Sequence, residues 1–332
     1  MTALGALATA GGVILFVWCI RRVGLAEIRS GFAQIGWGIV AIVLLGGVRF
    51  ALRAMAWKLC VEPPHTLAFR EAFGAVIAGD ALGNLLPLGP LVSEPAKAAF
   101  VRPRLALGPA GTALAIENVL YTLSVAAMIG AGMAALLLIS GIPDRLREVS
   151  ELAIAAVAAL FLSMLALLWT RPALVSRLVA RVLPGTGGER HVARIRALEK
   201  QLYSFASRRA SVMAPLIGAE LLFHVLGVFE AYITLWMLFG APPLLIHAFI
   251  IETVNRLIIV AFKFVPLGAG VNEVGTSFLT GVLGLGTAVG ATIGIVRKVL
   301  IVCWIAVGTV LLVRRGLSAR RVLADSELDG ER

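Results

Sequence analysis

Two short stretches carry most of the chemistry this chain can offer. Pro87-Leu88-Gly89-Pro90-Leu91-Val92-Ser93-Glu94 returns as Pro266-Leu267-Gly268-Ala269-Gly270-Val271-Asn272-Glu273, with Pro, Leu, Gly, Val and Glu at matching places. Each copy joins a backbone break to an acid at the start of the next apolar run. Proline withholds a donor and clashes with the preceding turn, so Pro87, Gly89, Pro266 and Gly268 read as helix-break tips. The acids have two readings. Ser93 and Asn272 are favoured N-cap types, and Glu94 and Glu273 in a first turn complement the helix dipole. At a buried tip the same glutamates could hold a headgroup amine or a proton, while the free amides of a helix start attract a phosphate.

Other polar residues interrupt apolar runs. A charge at mid-membrane costs roughly 2.5–3.5 kcal/mol, against about 0.3–0.6 returned by a leucine, so such residues face a cavity or one another. Arg49, Arg53 and Trp57 recur at every fourth position and share one helix face. The two arginines either snorkel to the interface or turn their planar forks inward to a lipid phosphate. Lys97, one turn beyond Glu94, either pairs with it or meets a ligand. Glu252 and Arg256 have the spacing of an internal ion pair. Glu220 and His224 share that spacing. A lone intramembrane histidine usually hydrogen-bonds a neighbouring helix, but beside Glu220 and Glu230 in one span a proton relay is the competing reading. Glu117 and Arg297, in the runs that follow the two tips, could pair across the repeat interface. The candidate cavity residues are therefore Arg49, Arg53, Asp80, Asn84, Glu94, Lys97, Glu117, Asn272, Glu273 and Arg297.

Nothing points to catalysis. Cys19, Cys60 and Cys303 are dispersed, the histidines are scattered, and no nucleophile–base, metal-ligand or nucleotide-binding spacing is present. The expectation is a protein that is not an enzyme, with no catalytic residues, no metal and no cofactor.

These residues must be positioned by membrane helices. The chain is 59% apolar and 15% charged, where a soluble domain has about 25% charged residues. Repeated long apolar runs make it an all-α, polytopic membrane protein. Its net charge of +11 is explained by basic cytoplasmic loops before any nucleic acid. The chain reads as spans 2–20, 36–60, 108–139, 151–170, 211–239 and 286–313, six crossings in all, with a short interfacial helix over 23–35. Residues 2–20 lack a positive n-region and are followed by Arg21-Arg22, so they read as a retained span rather than a signal peptide. Hairpins over 66–103 and 242–283 are each broken at a tip and too short for two crossings. Non-helical backbone at such depth needs protein or water around it. Segment 171–209 is basic, with apolar residues at helical spacing, and reads as amphipathic helices on an anionic leaflet. The transmembrane domain covers 1–316 and a polar tail 317–332.

Segment 171–209 and the cluster Arg314, Arg315, Arg320 and Arg321 place both termini in the cytoplasm, with the nearly neutral loop 140–149 outside; Arg21, Arg22 and Arg29 oppose this. The spans 108–139, 151–170 and 211–239 separate the tips. An odd number of crossings makes the two re-entrant hairpins enter from opposite faces, the pattern of an inverted repeat.

Arg53-Ala-Met-Ala-Trp57, Gly79-Asp-Ala-Leu-Gly-Asn84-Leu-Leu-Pro-Leu-Gly89, Ser93-Glu94-Pro-Ala-Lys97, Glu117-Asn118-Val-Leu, and Pro266-Leu-Gly268 with Asn272-Glu273 resemble the transmembrane, flippase-like domain of lysylphosphatidylglycerol synthases and the stand-alone membrane proteins that share it. The resemblance covers essentially the whole chain. It implies movement of polar-headed lipids between leaflets of the inner (plasma) membrane: phospholipids, hopanoids or polyprenyl-linked lipids. The synthases attach the amino acid with a soluble domain, and this sequence shows only a short charged tail, so no synthase activity is expected. The implied partners are membrane lipids, with lipid-biosynthesis enzymes as candidates, and no nucleic acid; the oligomeric state is open. The rival functions are a secondary transporter of a small soluble solute, and an intramembrane enzyme or accessory protein of lipid metabolism.

Overall fold

The computed structural model describes residues 21, 25–86, 89–139, 141–170, 208–263 and 265–315, with scattered residues of 171–207. The expected first span 2–20, Pro87, most of segment 171–209 and the tail 317–332 lie outside the described residues.

The described elements are all helical: α1 (Leu25–Ile35), α2 (Gly38–Cys60), α3 (Phe69–Leu85), α4 (Gly89–Val101), α5 (Leu107–Leu137), α6 (Asp144–Thr170), α7 (Ala210–Phe239), α8 (Leu245–Ala261), a 3₁₀ turn (Pro266–Gly268), α9 (Val271–Val282) and α10 (Thr287–Arg314). Among them α2, α5, α6, α7 and α10 are long and apolar enough to cross a membrane. The apolar runs fold this way because a helix satisfies its own backbone groups where water cannot. Their ends follow local chemistry: α7 stops at Gly240, whose φ of 66° suits glycine.

Two boundaries correct the sequence reading. Helix α4 begins at Gly89, so Ser93 lies inside it and is not its N-cap. The N-cap of α9 is Gly270, at φ 80°, with Asn272 two residues inside. Glu273 nevertheless caps α9: the Gly270 amide donates to its Oε2 at 2.9 Å. The capping argument thus holds for one acid of the repeated pair only. In addition, α6 starts at Asp144, so most of the expected loop 140–149 is helix.

Each half repeats one arrangement. The arms α3 and α4 pack together and α4 leads into α5; the arms α8 and α9 pack together and α9 leads into α10. The halves then exchange arms, with α3 lying on α10 and α8 on α5, while α2 and α7 pack against each other between them. Glycines permit the exchanged contacts. A Cβ on Gly308 would come within 2.6 Å of the Ile77 carbonyl, and one on Gly132 within 2.2 Å of Thr253 Oγ1. Such small residues let membrane helices approach closely. One apolar cluster, around Trp57, Phe100 and Leu114, fills the side of the first hairpin. A second, around Met133, Leu235 and Ile251, fills the side of the second hairpin. The polar residues lie between the two clusters.

Candidate polar cavity

The interior charges are held by pairing. Glu252 is 0% exposed, Glu117 2%, Glu230 3% and Glu220 4%. Ions so buried are tolerated only where opposite charges and hydrogen bonds replace water.

One cluster belongs to α2, α7, α8 and α10. Arg49 Nη1 lies 2.7 Å from Glu230 Oε2, and its Nη2 3.7 Å from Glu252 Oε1. Arg256 Nη2 reaches the same Oε1 at 2.8 Å, as its helical spacing anticipates. Arg297 bonds Glu252 Oε2 and lies 3.4 Å from Glu230 Oε1. Three guanidiniums therefore face two carboxylates, an excess of one positive charge. Phe223 carries this excess partly on its ring, with Arg49 at 4.6 Å and Arg256 at 5.1 Å from its centroid. Arg49 Nε and Arg297 Nη1 are buried and make no hydrogen bond.

A second cluster belongs to α2, α4, α5 and α7, with the pair Asp80 and Asn84 of α3 beside it. Arg53 Nη1 lies 2.8 Å from Glu117 Oε1 and 4.0 Å from Glu220 Oε1, and its guanidinium stacks 3.6 Å from the Tyr121 centroid. Asn118 Nδ2 donates to Glu94 Oε2 at 2.8 Å, and Lys97 Nζ holds Glu94 Oε1 at 2.7 Å. Asn84 donates to Asp80 Oδ2 at 2.9 Å.

A cavity of about 420 Å³ opens between these clusters. Arg49, Arg53, Asp80, Asn84, Glu94, Lys97, Asn272 and Arg297 line it, and both helix breaks border it, through Leu86 on one side and Val265, Leu267 and Gly268 on the other. Leu267 holds a φ of 57°, a left-handed conformation that costs a non-glycine residue about 1–2 kcal/mol. Gly268, at φ 56°, leaves room for the Asn272 amide, which a Cβ there would meet at 2.6 Å. At its rim the lining becomes apolar and exposed, at Ile259 and Phe262.

Glu117 and Glu273 do not line this cavity. Glu117 sits behind Arg53. Glu273 turns to its cap and to Lys298 Nζ. The expected pair of Glu117 with Arg297 does not form, because each finds a nearer partner: Arg53 for Glu117, Glu252 for Arg297. The arginines of α2 do not snorkel; both guanidiniums face the interior. The repeat is nonetheless visible in chemistry. Each tip acid is held from the helix that follows its own hairpin, Glu94 by Asn118 of α5 and Glu273 by Lys298 of α10.

Sequence reasoning left Glu230, Glu252, Asn255, Arg256 and Phe223 out of the cavity set, although all of them line it. The signal was there for two of them: an i,i+4 Glu–Arg pair deep in an apolar run reads as interior as readily as Arg49 does.

No curated protein and no solved structure matches the chain significantly. The family model described as the lysylphosphatidylglycerol synthase TM region matches residues 3–308. With that match over nearly the whole chain, and with apolar helices of membrane-crossing length, the chain is a multi-pass membrane protein and belongs to the family of the lysylphosphatidylglycerol synthase TM region.

Proposed function

We propose that the protein moves an amphipathic lipid with a negatively charged or zwitterionic headgroup between membrane leaflets. The observation that carries this reading is the cavity between the hairpins. Its polar wall bears the cations Arg49, Arg53, Lys97, Arg256, Lys263 and Arg297 against the anions Asp80, Glu94, Glu230 and Glu252. Its rim passes into exposed apolar side chains. A headgroup entering there exchanges water for fixed charges, while its tails stay against Ile259 and Phe262. Unsatisfied donors on Arg49 and Arg297 suit phosphate oxygens, which guanidinium groups bind strongly. The lipid named in the family description supports a lipid-related role of this kind.

In this reading the hairpins α3–α4 and α8–α9 are re-entrant and approach from opposite faces, with about six crossings and both termini in the cytoplasm of a cell with the protein in its inner membrane. The protein acts without catalysis, and the lipid is its ligand. The exchange of arms between the halves supports the inverted repeat, as in transporters whose broken helices meet at a central site.

The test is leaflet exchange in reconstituted liposomes, using labelled phosphatidylglycerol, phosphatidylcholine and an aminoacylated phosphatidylglycerol. Exchange above that of empty liposomes is expected, with loss in Arg49→Gln/Arg297→Gln. Equal exchange with and without protein for every lipid would end the flippase reading; uptake of a soluble solute would favour the secondary transporter.

A further inference from the structure

The transport reading leaves one buried group unused. Glu220 and His224 sit on α7, away from the cavity lining, at 4% and 7% exposure. Between them lies Ser124 of α5. Its Oγ is 2.8 Å from the Tyr121 carbonyl oxygen, 2.9 Å from His224 Nε2 and 3.3 Å from Glu220 Oε2.

Proton counting decides how this triangle is satisfied. A serine hydroxyl has one proton to give and lone pairs to receive. The carbonyl can only accept and is the nearest partner, so it takes the hydroxyl proton. Glu220 and His224 must then both donate to the hydroxyl oxygen: the histidine through Nε2–H, the glutamate as a carboxylic acid. If Glu220 loses its proton, Ser124 has to turn its hydroxyl from the carbonyl to the carboxylate. The triangle thus has two hydrogen-bonded states that differ by one proton.

The surrounding charges give the same count. Glu117 and Glu220 share one guanidinium, that of Arg53, and Glu117 holds it at 2.8 Å while Glu220 stands at 4.0 Å. The Glu220 Oε1 and His224 Nδ1 atoms are buried and make no hydrogen bond. Cys60 of α2 is within electrostatic reach of Glu117 and Glu220, and Arg209 at the head of α7 is within reach of Cys60; the Tyr121 ring of α5 stacks on His224. Arg49 of α2 also acts on His224, but it is bonded to Glu230. On α8 and α10, Glu252, Arg256 and Arg297 are engaged with one another. Helix α1 packs at the far end of α7, with Phe32 and Ile35 beside Met237 and Leu238. Among the described residues, Arg53 is the one cation in ion-pair reach of Glu220.

We infer that Glu220, with Ser124 and His224, forms a proton-binding site that couples lipid movement to a pH gradient. The inference rests on the transport reading for its coupling, though not for the proton itself. The link between the two sites is Arg53, which lines the cavity on one side and holds Glu117 on the other. A negative headgroup that draws Arg53 toward the cavity leaves Glu117 and Glu220 facing each other without a cation, so Glu220 holds its proton while the headgroup is bound and can release it only once Arg53 is back beside Glu117. Headgroup charge and proton then cross together, and the burial of net charge, which is costly in a membrane, is avoided.

Two measurements on the purified, reconstituted protein test this. Infrared difference spectroscopy across a pH titration should show a protonated-carboxyl band that disappears in Glu220→Gln, shifts in Ser124→Ala and persists in Glu94→Gln. An imposed one-unit proton gradient should bias the leaflet distribution of the transported anionic lipid by up to about tenfold for one coupled proton. Glu220→Gln should abolish the bias while leaving exchange in the absence of a gradient. If Glu220→Gln fails to fold, Ser124→Ala, which alters no charge, carries the test by loss of the bias. A band unchanged by Glu220→Gln overturns the proton site. A band with no gradient bias in a protein that does exchange lipid overturns the coupling and leaves the transport reading standing. Absence of all lipid exchange overturns the transport reading and the coupling, and the band then decides the proton site alone.

Discussion

Glu252 is the residue whose loss should be most visible, because three guanidiniums converge on it. Its Oε1 lies 2.8 Å from Arg256 and 3.7 Å from Arg49, its Oε2 is bonded to Arg297, and it is 0% exposed. In Glu252→Gln the side chain keeps nearly its volume but its charge is gone. Arg49, Arg256 and Arg297 then face Glu230 alone, and an excess of one positive charge becomes two. Removing one partner of a buried pair costs about 3–5 kcal/mol in a soluble protein, because the survivors stay buried without compensation. Here the cost is placed at the lower end, about 3 kcal/mol, because Glu230 remains within 2.7 Å of Arg49 and 3.4 Å of Arg297. The assay is reversible unfolding in mixed micelles by titration with a denaturing detergent. A second variant gives the decisive control. Glu252→Gln/Arg297→Gln removes one charge of each sign, so it should regain part of the loss, with a coupling energy of about 1–3 kcal/mol in the double-mutant cycle. If Glu252→Gln is as stable as the native protein, or the double variant shows purely additive losses, the convergent cluster does not hold α2, α8 and α10 together and this reasoning fails.

Three further outcomes follow from particular contacts. Gly308→Val would drive a side chain into the Ile77 carbonyl and Ala81, so a loss of about 1–3 kcal/mol from overpacking is expected in the same unfolding assay, whereas Gly111→Ala, inside α5 and with nothing within 4 Å of its Cβ, should cost nothing. Glu273→Gln weakens the cap on Gly270 and the tie to Lys298, so amide exchange over residues 268–276 should accelerate. Glu94→Gln should leave that exchange unchanged, because its side chain is 33% exposed and caps nothing; its effect should appear in lipid exchange. Trp304→Phe removes the indole bond to the Val43 carbonyl, 3.0 Å long, and should cost about 1 kcal/mol; full stability in that variant would mean that the ring contacts with Phe50 of α2 and Phe73 of α3 suffice to dock α10 there.

The helices and both breaks were legible because they are local. Apolar length sets the helices, and proline and glycine mark where the backbone departs from them. That Arg49 and Arg53 turn inward was open at the sequence level. Snorkelling and pairing are both satisfied by the same spacing, and only the arrival of Glu230 and Glu117 from distant segments decides between them. The Glu117–Arg297 expectation failed for the same reason. Opposite charges in equivalent spans are attractive candidates until nearer partners exist, and the nearer partners, Arg53 and Glu252, are set by helix crossing rather than by sequence separation. The repeated tip misled in one respect. Identical placement of Glu94 and Glu273 suggested a shared capping role, but α4 begins earlier, at Gly89, and leaves Glu94 free to meet Lys97 and Asn118 at the cavity wall.

The central claim is that a lipid headgroup enters the cavity between the hairpins. A phosphatidylglycerol analogue with a photoreactive headgroup, incorporated in membranes with the native protein and crosslinked by light, tests it most directly once the adducts are mapped by mass spectrometry. Adducts should fall on the cavity-facing residues of α2, α3, α4, α8, the second break and the start of α9, in segments 49–53, 80–97 and 252–272, and should decrease in Arg49→Gln/Arg297→Gln. Adducts confined to outward faces such as that of α6, where Leu152, Leu162 and Leu165 are exposed, and unaffected by those substitutions, would contradict it.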